Sequence, residues 1–197
     1  SDVSSTGTCF NINHVGITLD CQGHTITSGD GRGIAELYWY TNGNALTIKN
    51  CNIVSTGSTI GRGIEIHYAN DVKIENSNIT AANTGIWLVA NGNPNITNNR
   101  IISSSGTPLS TQTVYGGYIH KNNLTSNSDW GMYLYDTHNM NVTFNNASSN
   151  SNRYGAVLMR STQNTITDNR FISNGGRGLW EYECSGNVLL RNEIILP

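Results

Sequence analysis

The feature that most constrains this 197-residue chain is an interval. Gly63 stands eleven residues before the apolar anchor Ile74, and the same eleven separate Gly85 from Ile96, Gly131 from Val142, Gly155 from Ile166 and Gly178 from Leu189. A skeleton recurs around it: apolar residues one and, in most copies, three positions after the glycine, then the anchor, then a polar residue three positions past the anchor and an apolar one two further on. The polar position holds Asn99, Asn122, Asn145, Asn169 and Asn192, with Cys51 and Ser77 in earlier copies. Successive anchors from Ile48 to Leu189 lie 22 to 26 residues apart, giving about seven copies. Self-similarity at this period is the signature of a solenoid.

One copy holds three strands of three to five residues separated by bends, too little to bury a core alone, so each copy must stack on its neighbours. Alternation is visible within each piece. In GMYLY, Met132 and Leu134 point one way while Tyr133 and Tyr135 point the other. With one copy per turn, inward residues of consecutive turns form columns, and the expected fold is an all-β, single-stranded parallel β-helix of about seven full coils in one domain, residues 1–197. Residues 1–14 are expected to form a first, irregular coil that covers the N-terminal end, since an open end exposes unpaired strand edges. At the other end Ile194, Ile195, Leu196 and Pro197 continue a strand-like run; further coils or another chain are expected to shield it, or the terminal proline blunts it.

The asparagine column has a physical reason. A tight bend needs a residue that tolerates left-handed backbone angles, and asparagine is the commonest non-glycine choice. An inward amide can also bond the equivalent amides above and below, which predicts a buried ladder through Asn99, Asn122, Asn145, Asn169 and Asn192. The plain alternative, exposed turn asparagines, does not account for the fixed offset. Asn164, outside that offset, is expected at the surface.

Composition narrows the partners. A formal net charge of −2 with no basic block argues against nucleic acid, and no apolar run is long enough to insert into a membrane. Charged residues make up only 12 % of the chain, which suits stacked strands with polar bends. No signal peptide opens the sequence, so a mature or excised segment is expected.

Several stretches resemble a known group. NPNITNNRI, NTITDNRFIS and GRGLW look like the right-handed parallel β-helices of the pectin-lyase-like superfamily, more closely its NosD-like short repeats. The opening CFNINHVGITLDCQGHTI resembles the first coil of archaeal and bacterial surface β-helix proteins. The resemblance covers nearly all of the chain after Cys9 and implies a right-handed solenoid. It specifies function weakly, because the superfamily holds lyases, hydrolases, epimerases, glycan binders and purely structural modules.

Cys9 and Cys21 share that opening motif, which makes a bridge between them the first expectation. Cys21 and Cys51, stacked on adjacent coils about 4.8 Å apart, are a second, and four reduced thiols a third. Cys184 lies several coils from the others and is expected free. The fourth copy departs from the skeleton: counted from Gly106, its interval is thirteen residues, Pro108 and Ser110 fall in the outward positions, and Pro108 predicts a strand weakened or bulged there. In the first full copy ELYWYTNGN predicts an enlarged loop. Asn78, Asn95, Asn123, Asn141 and Asn146 begin Asn-x-Ser/Thr triplets; two or more are expected to face the core or a tight bend. The five histidines show no metal-ligand spacing, so no metal is expected.

By resemblance, chemistry sits on the outer face of the glycine-led sheet. Hydrolysis there needs two converging carboxylates. The outward candidates Glu65, Asp136 and Glu183 belong to widely separated copies, the first two alone about 14 Å apart at the spacing of strands, and no polygalacturonase-type motif accompanies them. Lyase chemistry needs a base and a charge neutraliser, for which Arg160 with Tyr135, or His67 with Glu65, are the candidates, with calcium the cofactor to expect in an enzyme and none otherwise. Aromatic residues favour a different use. Trp87, Tyr133, Tyr135, Trp180 and Tyr182 alternate with the inward Ile86, Leu88, Met132, Leu134 and Leu179, and an exposed aromatic stripe suits stacking on sugar rings. Lateral packing of strand-forming aromatics is the ordinary alternative. The expected protein is an extracellular or cell-surface module presenting a glycan-binding or adhesive face, with a polysaccharide lyase or a passive stalk as alternatives.

Overall fold

The structure is a computed structural model that describes residues 1–14, 16–36, 45–57 and 60–197. Leu37 and most of the ELYWYTNGN stretch lie outside the described residues. Three parallel sheets of nine, eight and eight strands wind into a solenoid of about eight turns, with no helix among the described residues and therefore none to cross a membrane. Each turn visits the sheets in the same order. A glycine-led strand comes first, then an anchor strand, then a closing strand, as in Ile86–Val89, Asn95–Thr97 and Arg100–Ser103.

Register follows the repeat. Leu19, Ile48, Ile74, Ile96, Ile119, Val142, Ile166 and Leu189 are successive partners in the anchor sheet. All from Ile48 to Ile166 are fully buried, because alternation sends the middle residue of each three-residue strand inward. Val3–Ser5 pairs with Thr25–Ser28, and Phe10–Asn11 with Arg32–Glu36, so the N-terminal residues extend two of the sheets.

Asn99, Asn122, Asn145, Asn169 and Asn192 stand in one column, the first four buried: from Asn122 on, each Oδ1 accepts from the backbone N–H and the amide of the asparagine one turn before, at 2.9–3.1 Å, and Asn99 Oδ1 accepts from the Ser77 N–H at 3.0 Å. The left-handed conformation falls one position earlier, on Asn98, Lys121, Phe144, Asp168 and Arg191. Turning and filling are thus divided between neighbours. Asn164 is not at the surface but fully buried, in a second column with Asn187 at the other bend. Its Oδ1 accepts from Met140 N at 2.9 Å and its amide donates to Thr137 O at 2.8 Å. That bend needs the same filling as the first.

The leading glycines answer to close approach between turns. A Cβ on Gly63 would lie 2.6 Å from the carbonyl oxygen of Gly85, and one on Gly155 2.6 Å from that of Gly178. In the fourth copy the structure corrects the alignment. Leu109 pairs with Ile86, so Pro108, not Gly106, takes the leading position, and the eleven-residue interval to Ile119 is kept. The outward residues there are Ser110 and Gln112. The strand Leu109–Tyr115 is the longest described in its sheet rather than a weakened one, because the missing proline N–H falls just before its first residue.

The cysteines differ from the first expectation. Cys21 is bridged to Cys51, with Cα atoms 4.8 Å apart, and Cys9 and Cys184 are free. Parallel stacking puts Cys21 and Cys51 at the same bend of consecutive turns, whereas the Cys9 thiol donates to Thr27 O at 3.0 Å. The five acceptor-type asparagines each open a strand whose second residue is buried, so none faces the core; each instead follows a tight bend, two residues after the left-handed Asn76, Asn93, Lys121, Asn139 or Phe144. Exposed ion pairs link successive turns, Arg160 to Glu183 at 2.7 Å, Arg191 to Asp168 at 2.6 Å and Arg170 to Glu193 at 3.1 Å.

Candidate functional site: an aromatic cleft on the glycine-led sheet

The outer face of the glycine-led sheet carries two columns. Glu65, Trp87, Ser110, Tyr133, Val157 and Trp180 form one, and His67, Val89, Gln112, Tyr135, Met159 and Tyr182 the other. The five singled-out aromatics lie in these columns in two groups. Trp87, Tyr133 and Tyr135 line one cleft of about 420 Å³ with Arg62, Ser110 and Gln112. Trp180 and Tyr182 lie two turns beyond Tyr133 and Tyr135 and do not line that cleft. Their rings are 5.7 Å apart, and Tyr182 is exposed.

The cleft is wide at its middle because Ser110 and Gln112, short or unbranched, fall between Trp87 and the two tyrosines. Pro108 shifted into the leading position is what puts them there. Two further aromatics, unassigned from the sequence, extend the face: Trp130 packs 4.7 Å from Tyr133 and Tyr154 5.4 Å from Trp180. Each directly precedes a leading glycine. Alternation counted forward from the glycine does not reach that position; the recurrence of an aromatic before Gly131 and Gly155 was the available signal.

At the upper end, Glu65 is only 1 % exposed. It contacts the Arg32 guanidinium, Arg62 Nη1 at 2.6 Å and His67 Nε2 at 2.9 Å. Burial alone would raise its pKa, but the hydrogen bonds from His67, Arg32 and Arg62 outweigh that and hold it at about 2. An acid so tightly ionised and enclosed is a poor proton acceptor, and its role is to fix Arg62. The Arg62 guanidinium in turn lies 3.8 Å over the Trp87 ring, and the His67 ring meets Trp87 edge-on at 5.5 Å. Two arginines against one carboxylate leave this end positive.

The remaining candidates do not converge. Asp136 sits in a left-handed bend, φ 49°, where it bonds His138 at 2.9 Å and Thr113 at 2.9 Å. Arg160 donates to the Tyr135 hydroxyl at 3.1 Å and to Glu183 at 2.7 Å. No three potential metal ligands gather among the described residues.

A family model for the right-handed β-helix region matches residues 8–155. Among solved structures, a periplasmic alginate epimerase, AlgG, superposes with a TM-score of 0.56 at 13 % identity, covering 85 % of this chain and 55 % of that one. The Streptococcus pneumoniae surface adhesin PfbA gives 0.48 at 12 % identity, covering 98 % and 61 %. The chain therefore spans less than two thirds of either structure, and at such identities the likeness is one of fold. No curated protein sequence matches the chain.

Proposed function

This chain belongs to the right-handed β-helix family, and we propose that it serves outside the cytoplasm, at or beyond the cell surface, as a module whose glycine-led face binds carbohydrate. The observation that carries the reading is the cleft in which Trp87, Tyr133 and Tyr135 face one another across Ser110 and Gln112, with Arg62 stacked on the indole. Aromatic faces suit the C–H faces of sugars, and the hydroxyl, amide and guanidinium groups between them suit sugar hydroxyls or carboxylates. Trp87 and Tyr133 are two turns apart, about 10 Å, and Trp180 is two turns further, a period comparable to alternate rings of an extended glycan. Weak stacking on each rung would add through avidity. The Cys21–Cys51 bridge supports an oxidising compartment, and the alginate substrate named for the epimerase is in keeping with a polysaccharide ligand.

The test is retention on immobilised polysaccharides. Trp87→Ala with Trp180→Ala should leave the melting transition in place and abolish retention of the chain on whichever polysaccharide holds the parent. Unchanged retention, or a parent that no polysaccharide retains, would return this face to a passive stalk. Product analysis of the same incubations tests the lyase alternative, for which Arg160 on the Tyr135 hydroxyl is the specific observation.

A further inference from the structure

Large apolar residues exposed above one third are few among the described residues. Eight of them belong to the first or last turn. The other three are 52–56 % exposed: Tyr118 lies in the anchor sheet, Tyr115 ends the glycine-led strand Leu109–Tyr115, and Phe144 occupies the bend after the anchor strand Asn141–Thr143. Tyr118 stands between Asn95 and Asn141, its partners one turn below and one above. Two hollows of about 660 and 460 Å³ flank it and share these three residues.

The amides are uncommitted. The exposed asparagines of the closing sheet bond each other, Asn52 to Asn78 at 3.1 Å and Asn123 to Asn146 at 3.3 Å, whereas the side chains of Asn95 and Asn141 make no hydrogen bond within the described residues, and Asn95 Oδ1 is buried without a partner. The floor is otherwise Thr97, Thr143 and His120. His120 Nδ1 pairs with Thr143 Oγ1 at 2.7 Å, and its ring packs edge-on against Phe144 at 5.6 Å. Burial, then Lys121, push the imidazole pKa down, which favours the uncharged ring. The charged groups Asp71 and Lys73 line the smaller hollow, Lys73 as the partner of Asn95 one turn before. No carboxylate, ammonium or guanidinium group lines the larger hollow.

We infer that the anchor sheet carries a second saccharide site, selective for uncharged pyranoses, in which one sugar ring stacks on Tyr118 while its hydroxyls on opposite edges bond Asn95 and Asn141. The two asparagines are two rungs apart, about 10 Å, a span that one ring with its equatorial hydroxyls fills. Amides supply both donor and acceptor to a hydroxyl, and a neutral floor gives a carboxylated sugar nothing to offset its desolvation. The site stands independently of the glycine-led face, whose Arg62 end is positive.

The experiment uses the 197-residue chain made in a host without N-glycosylation, so that Asn95 and Asn141 carry bare amides. Calorimetric titration with the neutral hexasaccharides of glucose, mannose and xylose, and with a hexuronate for contrast, should show at least one neutral sugar binding and the hexuronate failing to compete at this site. Tyr118→Ala should weaken neutral binding by at least about tenfold, while Tyr118→Phe retains it. The Tyr118-dependent component should persist in a Trp87→Ala, Trp180→Ala background and vanish there on adding Tyr118→Ala, which separates this site from the one proposed above. Three results would overturn the inference: no neutral hexasaccharide bound by the parent at millimolar concentration, Tyr118→Ala binding as the parent does, or protein from its native source carrying a covalent glycan on Asn95 or Asn141. Equal melting temperatures for parent and variants exclude misfolding as the cause of a loss.

Discussion

Each ladder asparagine answers several buried groups at once. Asn145 donates its amide to Ile119 O at 2.8 Å and Asn169 Oδ1 at 3.0 Å, and its own Oδ1 holds the backbone N–H of Asn122 at 2.9 Å. Truncation strands all of these, so Asn145→Ala should cost about 1–3 kcal/mol by denaturant midpoint. Asn164→Ala should cost as much, while exposed Asn150→Ala should stay within about 0.5 kcal/mol. The offset of the first column was legible because five copies share it. The second was not, since only Asn164 and Asn187 form it, next to Met140, and a two-member column leaves no periodicity to find. The two buried glutamates pull stability in opposite directions with pH. Glu36, 3 % exposed with Oε2 unpartnered, is pushed by burial to about 7. Its folded form holds a proton that the unfolded chain has released, so stability falls as pH rises from about 4.5 through 7, and Glu36→Gln should flatten that slope. Glu65, held at about 2, binds its proton later than the unfolded chain does. Its contribution is full above about 4.5 and is lost as pH falls toward 2.

Among elements, the anchor strands were the most legible, because three residues with one inward apolar position admit a single register. The glycine-led strands were less so. In the fourth copy a glycine two positions early, Gly106, masked the proline that fills its place, and an outward column read from it is wrong by two residues, one full pleat; the inward-outward sense survives and the identity does not. This is why Gln112 entered the cleft unannounced. The disulfide illustrates the same limit. Both Cys9 and Cys51 suit Cys21 by sequence, and only stacking geometry separates them. Peptide mapping without reductant should recover Cys21 linked to Cys51 with Cys9 and Cys184 free. Reduction should lower stability by roughly 3–4 kcal/mol if loop entropy dominates, over a separation of 30 residues. Recovery of Cys9 in the bridge would overturn the stacked arrangement at that bend.

The whole molecule is quasi-one-dimensional, each turn contacting only its neighbours, so local stability should vary along the axis. In the 197-residue chain Leu189 and Ile194 are 43 and 50 % exposed, where their column mates Ile166 and Phe171 are buried. Amide exchange should therefore be fastest in Val188–Leu190 and Glu193–Ile195 and slowest around Ile96–Ile119; uniform protection would mean that the turns open together. Such a stack has one characteristic error. Because every turn offers nearly the same inward columns, a turn could settle one repeat out of place at little hydrophobic cost. The exposed ion pairs break that degeneracy. Moved by one repeat, Glu183 would leave Arg160 for Asp136, Arg191 would leave Asp168 for Phe144, and Glu193 would leave Arg170 for Asn146. Each pair contributes at most about 1 kcal/mol where it stands. Their larger effect is to number the turns: surface charge acts here as an index that tells otherwise interchangeable coils in which order to assemble.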